Sequence, residues 1–191
     1  QGYLMDAKLD TELNAKSDAK SRATHIKLVA FDIDGVMTDG GLHYTDDGGE
    51  LKTFNVQDGL GLKFMQRAGF ELAIVTGRTS GVVAARAADL GITHVFQGVA
   101  DKRVAVSALL EKLGLEWPEC AFMGDDAIDL PAMSKCGLAI APANARPIVK
   151  QHAHLITYAS GGQGAVREAI EFILAAQDKL DAAFAPYLMP Q

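Results

Sequence analysis

The sequence predicts an α/β fold, a Rossmann-like parallel sheet with helices on both faces. Three features carry that reading. Short, continuously apolar runs recur along the chain, segments of helical spacing lie between them, and those segments close on glycine. A strand covered by helices on both faces reads as an unbroken apolar run, whereas a half-exposed strand alternates. Glycine just past a helix supplies a left-handed cap residue without steric cost. At 191 residues, 49% of them apolar, the chain has the size and interior of one ordinary domain.

Residues 1–24 alternate Ala with Lys, Asp and Ser, which predicts a flexible or helical N-terminal arm ahead of a domain over 25–180. Lys27 to Phe31 is the first strand. Gly41–Thr45 and Glu50–Phe54 flank Asp46-Asp47-Gly48-Gly49, a hairpin signal that places a flap at about 41–54 directly after that strand. Leu60 to Ala68 has helical spacing and closes on Gly69, and Phe70 to Val75 is the second strand of the main sheet. A helix over Val82–Leu90 closes on Gly91, His94–Phe96 is a strand, and a helix over Val104–Leu113 closes on Gly114. Cys120–Met123, Leu138–Ala141 and Leu155–Thr157 complete the strands, and residues 181–191 form a C-terminal tail. No other insertion is long enough to be a cap domain.

Composition excludes several functions. Lys+Arg of 18 against Asp+Glu of 24 gives a net charge of −6, which disfavours binding to nucleic acid. No apolar run is long enough to span a membrane, and the polar N-terminal segment lacks a signal core. Cys120 and Cys136 sit in apolar surroundings and read as reduced thiols of a cytoplasmic protein.

Ligands of open α/β sheets bind beyond the carboxyl ends of the strands. There the chain places Asp32 and Asp34, then Thr76-Gly77-Arg78, then Lys102, then Asp125 and Asp126 with Asp129 close behind. Singly, each has an ordinary reading as a helix cap, a turn or a solvated lysine. Together they demand more. Carboxylates converging on one rim repel each other unless a cation neutralises them, and Mg²⁺ is the natural hard cation for carboxylates plus a phosphate. The lysine and hydroxyl beside them suit that phosphate.

Phe31-Asp32-Ile33-Asp34-Gly35-Val36-Met37-Thr38-Asp39-Gly40 resembles the signature of the haloacid dehalogenase superfamily of phosphotransferases, and Thr76, Lys102 and Gly124-Asp125-Asp126 match its later motifs in order. More narrowly, the chain resembles the capless 3-deoxy-D-manno-octulosonate 8-phosphate phosphatases. That likeness rests on Asn55-Val56-Gln57-Asp58-Gly59, Thr76-Gly77-Arg78 and Gly161-Gly162-Gln163-Gly164-Ala165-Val166-Arg167-Glu168, and covers roughly residues 27–176. The resemblance implies a phosphomonoesterase of lipopolysaccharide precursor biosynthesis. Asp32 would be the nucleophile that forms an aspartyl-phosphate. Asp34 would be the general acid and base, its main-chain carbonyl joining the Asp32 and Asp125 carboxylates on Mg²⁺. Thr76 would bond the phosphoryl group, and Lys102 would neutralise Asp32 and the phosphate. Asp126 would orient Lys102 or the metal waters, whereas for Asp129 a supporting role and a plain helix start stand equally open. Asn55, Gln57, Asp58, Gly59, Gly77, Arg78 and Arg86 would meet the substrate, with a capping role competing at Asp58 and a solvated face competing at Arg86.

The family pattern has arginine where this chain has Gln57, and often where it has Gln163. Arginine binds a sugar acid's carboxylate bidentately, so the change leaves a nonulosonate 9-phosphate as the second substrate reading. Two readings of other classes remain. A signalling receiver domain carries similar residues, but its acidic pair follows the first strand and its phospho-acceptor a middle one, whereas here the Asp-x-Asp pair comes first and the double Asp late. A silent binding module would lack one of Asp32, Asp34, Lys102 or Asp125, and all four are present. Leu42, Tyr44, Leu51 and Phe54 are more apolar surface than one hairpin should expose. With the resemblance, they imply a homo-oligomer, a tetramer, whose hairpins and tails close neighbouring sites.

Overall fold

The computed structural model describes residues 17–188. Six parallel strands form the main sheet: β1 (Leu28–Phe31), β4 (Glu71–Val75), β5 (His94–Phe96), β6 (Cys120–Met123), β7 (Leu138–Ala141) and β8 (Leu155–Ile156). Their order is β5-β4-β1-β6-β7-β8. The chain therefore builds outward from β1 to one edge, then crosses back and builds to the other. That is the order of a doubly wound sheet, with its switch point between β1 and β6. β2 (His43–Tyr44) and β3 (Glu50–Leu51) pair antiparallel as a separate hairpin just after β1, where the sequence predicts one.

Strand alternation splits the core into two layers. Val29 and Phe31 of β1 face the layer shared with helices α2 (Val56–Arg67), α3 (Gly81–Leu90) and α7 (Ala165–Ala176). Leu28 and Ala30 face the layer shared with α4 (Lys102–Leu113) and the short α5 (Leu130–Met133). Helix α3 is capped by Ser80 and α4 by Asp101, and each ends on a left-handed glycine, Gly91 or Gly114.

Three regions differ from the sequence reading. Helix α2 starts at Val56 rather than Leu60, because the Asn55 side chain accepts from Gln57 N at 2.7 Å and caps it, while Gly59 and Gly61 obscure the periodicity. Helix α1 is described over residues 17–23 and is docked, not free. Ala19 and Ala23 are fully buried, and Gln177 Nε2 donates to the carbonyls of Ala23 and Ile26 at 2.9 and 2.8 Å. The tail begins as helix α8 (Leu180–Leu188), which folds back so that Phe184 meets Phe64 edge-on at 5.3 Å between centroids. Residues 1–16 of the arm and 189–191 of the tail lie outside the described residues. Helices α6 (Pro147–His152), α7 and α8 follow the last predicted helix and were not read from the sequence. No described helix is long and apolar enough to cross a membrane.

Candidate active site

The rim at the switch point is assembled by backbone contacts first. Asp32 N donates to Met123 O at 3.0 Å, so Asp32 extends the pairing of β1 with β6 one step past its end. The chain then turns at Gly35, whose φ of +87° suits glycine, and a Cβ there would lie 2.2 Å from Asp125 Oδ2. The two acidic loops thus touch where only a hydrogen fits. The loop over 160–164 braces this turn from behind. A Cβ on Gly161 would lie 2.0 Å from Gly35 O, and Asn144 ties the two by donating to Gly35 O (2.9 Å) and accepting from Gly161 N (2.7 Å). This is the physical use of the Gly161-Gly162 pair seen in the sequence.

Charge is concentrated below the rim. Lys102, at the first position of α4, is buried with its Nζ 2.8 Å from Asp32 Oδ1 and 2.6 Å from Asp129 Oδ1. Asp129 is fully buried, and its other oxygen accepts from the main-chain N–H of Asp125 (2.9 Å) and Asp126 (3.2 Å). Asp129, not Asp126, therefore orients Lys102. Asp126 is exposed, and its carboxylate caps the next turn by accepting from Ala127 N at 2.7 Å. A lysine buried among carboxylates needs a fixed counter-charge, and Asp129 is placed to supply it.

Carboxylate oxygens of Asp32, Asp125 and Asp129 lie within 4.8 Å of one another. Burial, then repulsion from Asp129, raises Asp32 to about 6, with Lys102 opposing. Burial raises Asp125 to about 7, with Asp129, Asp32 and Asp126 adding to it. The donor set fits a divalent, oxygen-seeking cation. Asp32 Oδ1 is buried with no hydrogen bond of good geometry, and three carboxylates face a single ammonium. Both oxygens of Asp129 are already engaged, which leaves Asp32 and Asp125 as the carboxylates with lone pairs to offer.

Above this cluster opens a cleft of about 260 Å³ lined by Asp32, Asp34, Gly40, Thr76, Gly77, Arg78, Asp125, Asp126 and Ile128. A larger hollow of about 340 Å³ lies at the amino ends of the strands, against Lys27, Phe70 and Glu119, without such a carboxylate cluster. Chemistry, not volume, selects the cleft. Of the residues expected to meet the substrate, Gly77 and Arg78 line this cleft, whereas Asn55, Gln57, Asp58, Gly59 and Arg86 do not. The Asp58 carboxylate is buried and accepts from Arg167 N at 2.8 Å, pinning the first turn of α7. Arg86 lies with its guanidinium 5.7 Å over the Phe54 ring and against Gly59, where a Cβ would meet it at 2.4 Å. Asn55 is spent as the α2 cap, and Gln57 and Gln163 are exposed.

One residue the sequence reading missed reaches the site from the hairpin. Lys52 Nζ sits 2.5 Å from Asp34 Oδ1 and 3.3 Å from Glu50 Oε1, with a side chain only 1% exposed. Arg78 donates to Tyr44 Oη (2.9 Å) and Glu50 Oε1 (3.0 Å), and its Nε lies 3.5 Å from Asp34 Oδ2. A lysine in a partly alternating hairpin reads as solvent-facing, so only the three-dimensional approach of the flap to β1 exposes it as a site residue.

The raised carboxylates set a stability prediction. In metal-free protein, Asp125→Asn should increase stability by about 1–2 kcal/mol at pH 8, after discounting for water access. An acid whose folded value is raised costs stability above that value, so the gain is full above pH 7 and fades as pH falls towards 4. Urea unfolding at pH 8 and pH 4.5 checks this, and a loss of stability at pH 8 would contradict it.

The haloacid dehalogenase-like hydrolase family matches residues 91–170. The 3-deoxy-D-manno-octulosonate 8-phosphate phosphatase KdsC of Escherichia coli K12 is 45% identical over 167 residues, covering 87% of this chain and 89% of its own. The crystal structure of the phosphatase of that name from Yersinia pestis superposes with a TM-score of 0.85 at 45% identity, covering 86% of this chain and 89% of its own. The Moraxella catarrhalis phosphatase, solved with a magnesium ion, a phosphate ion and a KDO molecule, gives a TM-score of 0.87 at 45% identity, covering 88% of this chain and 97% of its own. The chain belongs to the 3-deoxy-D-manno-octulosonate 8-phosphate phosphatase family of haloacid dehalogenase-like hydrolases.

Proposed function

We propose that the protein is a Mg²⁺-dependent phosphomonoesterase that hydrolyses 3-deoxy-D-manno-octulosonate 8-phosphate to the free sugar acid and phosphate. The observation that carries this reading is the buried Asp32–Lys102–Asp129 line beside Asp125, with Asp32 and Asp125 both lining the cleft above it. The names of the relatives supply the substrate.

Asp32 attacks phosphorus and the ester P–O bond breaks, while Asp34 gives its proton to the departing sugar oxygen. Asp34, now a carboxylate, takes a proton from the water that attacks the aspartyl-phosphate, which frees phosphate and restores Asp32. Lys102 holds Asp32 and offsets its charge against the incoming dianion, and the buried Thr76 hydroxyl in the cleft wall meets the phosphoryl oxygens. Asp32, Asp125 and the Asp34 main-chain carbonyl would hold Mg²⁺, which would supply positive charge to neutralise the phosphoryl group. Gly77 and Arg78 contact the sugar.

A nonulosonate 9-phosphate is the second substrate reading, because Gln57 and Gln163 stand where arginines are expected to bind the octulosonate carboxylate. The test is kcat/KM for the octulosonate 8-phosphate, a nonulosonate 9-phosphate and hexose phosphates, each with Mg²⁺ and then with EDTA. The octulosonate should lead by about tenfold or more, and EDTA should abolish turnover. A preference for hexose phosphates, or turnover indifferent to EDTA, would overturn the proposal.

The assembly proposed is a homotetramer in the cytoplasm, where the buried free thiols Cys120 and Cys136 persist reduced. Leu42, Tyr44 and Leu51 are 48%, 63% and 60% exposed on the hairpin, which supports a joint there, while Phe54 packs on its own core. Deleting residues 41–54 should reduce the light-scattering mass from four chains and depress activity together. A fully active monomer would contradict this.

A further inference from the structure

The hairpin is bound to the acid–base residue by a buried cation that the mechanism above does not use. Lys52 projects from the strand after the turn and places its ammonium 2.5 Å from Asp34 Oδ1 and 3.3 Å from Glu50 Oε1. Its side chain is 1% exposed, and it forms no part of the cleft wall, whereas Asp34 does. Lys52 therefore stands behind Asp34 and acts on a substrate only through it. Glu50 is held ionised by the Ser80 hydroxyl first, with Arg78 and Lys52 assisting. Burying an ammonium on a two-stranded ribbon costs several kcal/mol unless charged partners satisfy it, and a hairpin kept only for its shape has no need of one. An apolar side chain would cover the same surface without that cost.

We propose that Lys52 is a positioning residue for the leaving-group step: its ammonium fixes the Asp34 carboxyl group, by one oxygen, in the orientation that delivers a proton to the departing sugar oxygen. The flap is then part of the catalytic geometry, and its contribution is confined to substrates whose leaving oxygen must be protonated. The inference rests on the phosphomonoesterase reading, with Asp34 as its acid.

The test compares two leaving groups on the full-length protein. An alkyl phosphate such as the octulosonate 8-phosphate needs a proton on its leaving oxygen, whereas p-nitrophenyl phosphate expels a stable anion and does not. For each, kcat/KM reports the steps through the first P–O cleavage. Lys52→Met should lower kcat/KM for the sugar phosphate by roughly 10²-fold, part of what general acid catalysis contributes. For p-nitrophenyl phosphate the loss should be under about threefold, the scatter of an uninvolved position. The sugar-phosphate loss should fall on kcat more than on KM. Lys52→Arg should restore most of it, and Lys52→Met placed in an Asp34→Asn background should cost little more.

Circular dichroism and thermal melting show whether Lys52→Met folds, and Lys52→Gln replaces it if it does not. Equal losses on both substrates, or none on the sugar phosphate, would overturn the role of Lys52 while leaving the phosphatase reading intact. A wild-type protein that hydrolyses neither compound with Mg²⁺ would instead overturn the reading on which it rests.

Discussion

Asp32→Asn is expected to lower phosphate release by roughly 10⁴-fold or more, with no loss of folded protein, because removing a nucleophile in other hydrolases costs that order. The amide keeps the shape of the carboxylate but cannot form the phosphoryl bond. Folding should survive, since Lys102 retains Asp129 at 2.6 Å. Above pH 6 the metal-free variant should melt no lower than wild type, since the native Asp32 is ionised there against its burial and against Asp129. Single-turnover phosphate release and thermal melting at pH 7.5 read the two halves separately. Activity near wild type would refute the assignment of the nucleophile.

Lys102→Ala is expected to be the most damaging substitution for stability. It leaves Asp32 and fully buried Asp129 without their common counter-ion, and breaking a buried pair from one side costs about 3–5 kcal/mol. For a chain of this length that is a fall in Tm of roughly 10 °C. The penalty belongs to ionised carboxylates, so it should be greatest above pH 7 and shrink as pH falls below about 6, where Asp32 takes up a proton. Melting curves at pH 7.5 and pH 5 test the sign. An equal loss at both would mean that Lys102 stabilises by packing alone.

The sheet was legible because its strands are buried on both faces, and an apolar run such as Cys120–Met123 has no other good reading. The acidic rim was legible because a doubly wound sheet returns every strand end to one side, so Asp32, Thr76 and Asp125 follow their strands into one cleft. Two kinds of information were not. Asp129 and Asp126 stand three residues apart in one acidic loop, and only the path of the 3₁₀ turn over Ala127–Asp129 shows which carboxylate points inward to Lys102. The burial of Lys52 and Asp58 was hidden for a related reason. Surface-type residues in a flap and at a helix start give no periodic signal of burial, yet one is sealed behind Asp34 and the other under α7. The docking of α1 was hidden likewise, since alanines such as Ala19 and Ala23 bury well without marking an apolar stripe.

The most direct measurement is to seek the phosphoryl group on Asp32 itself. Asp34→Asn should slow the attack of water on the aspartyl-phosphate, so that rapid acid quench after mixing with phosphate-labelled p-nitrophenyl phosphate, whose leaving group needs no proton, and Mg²⁺ traps label on the protein. Peptide mass mapping should place it on Asp32, and the label should be absent when EDTA is present or when Asp32→Asn is added. Label on another residue, or phosphate release by the wild type with no phosphorylated peptide at any quench time, would contradict the covalent mechanism.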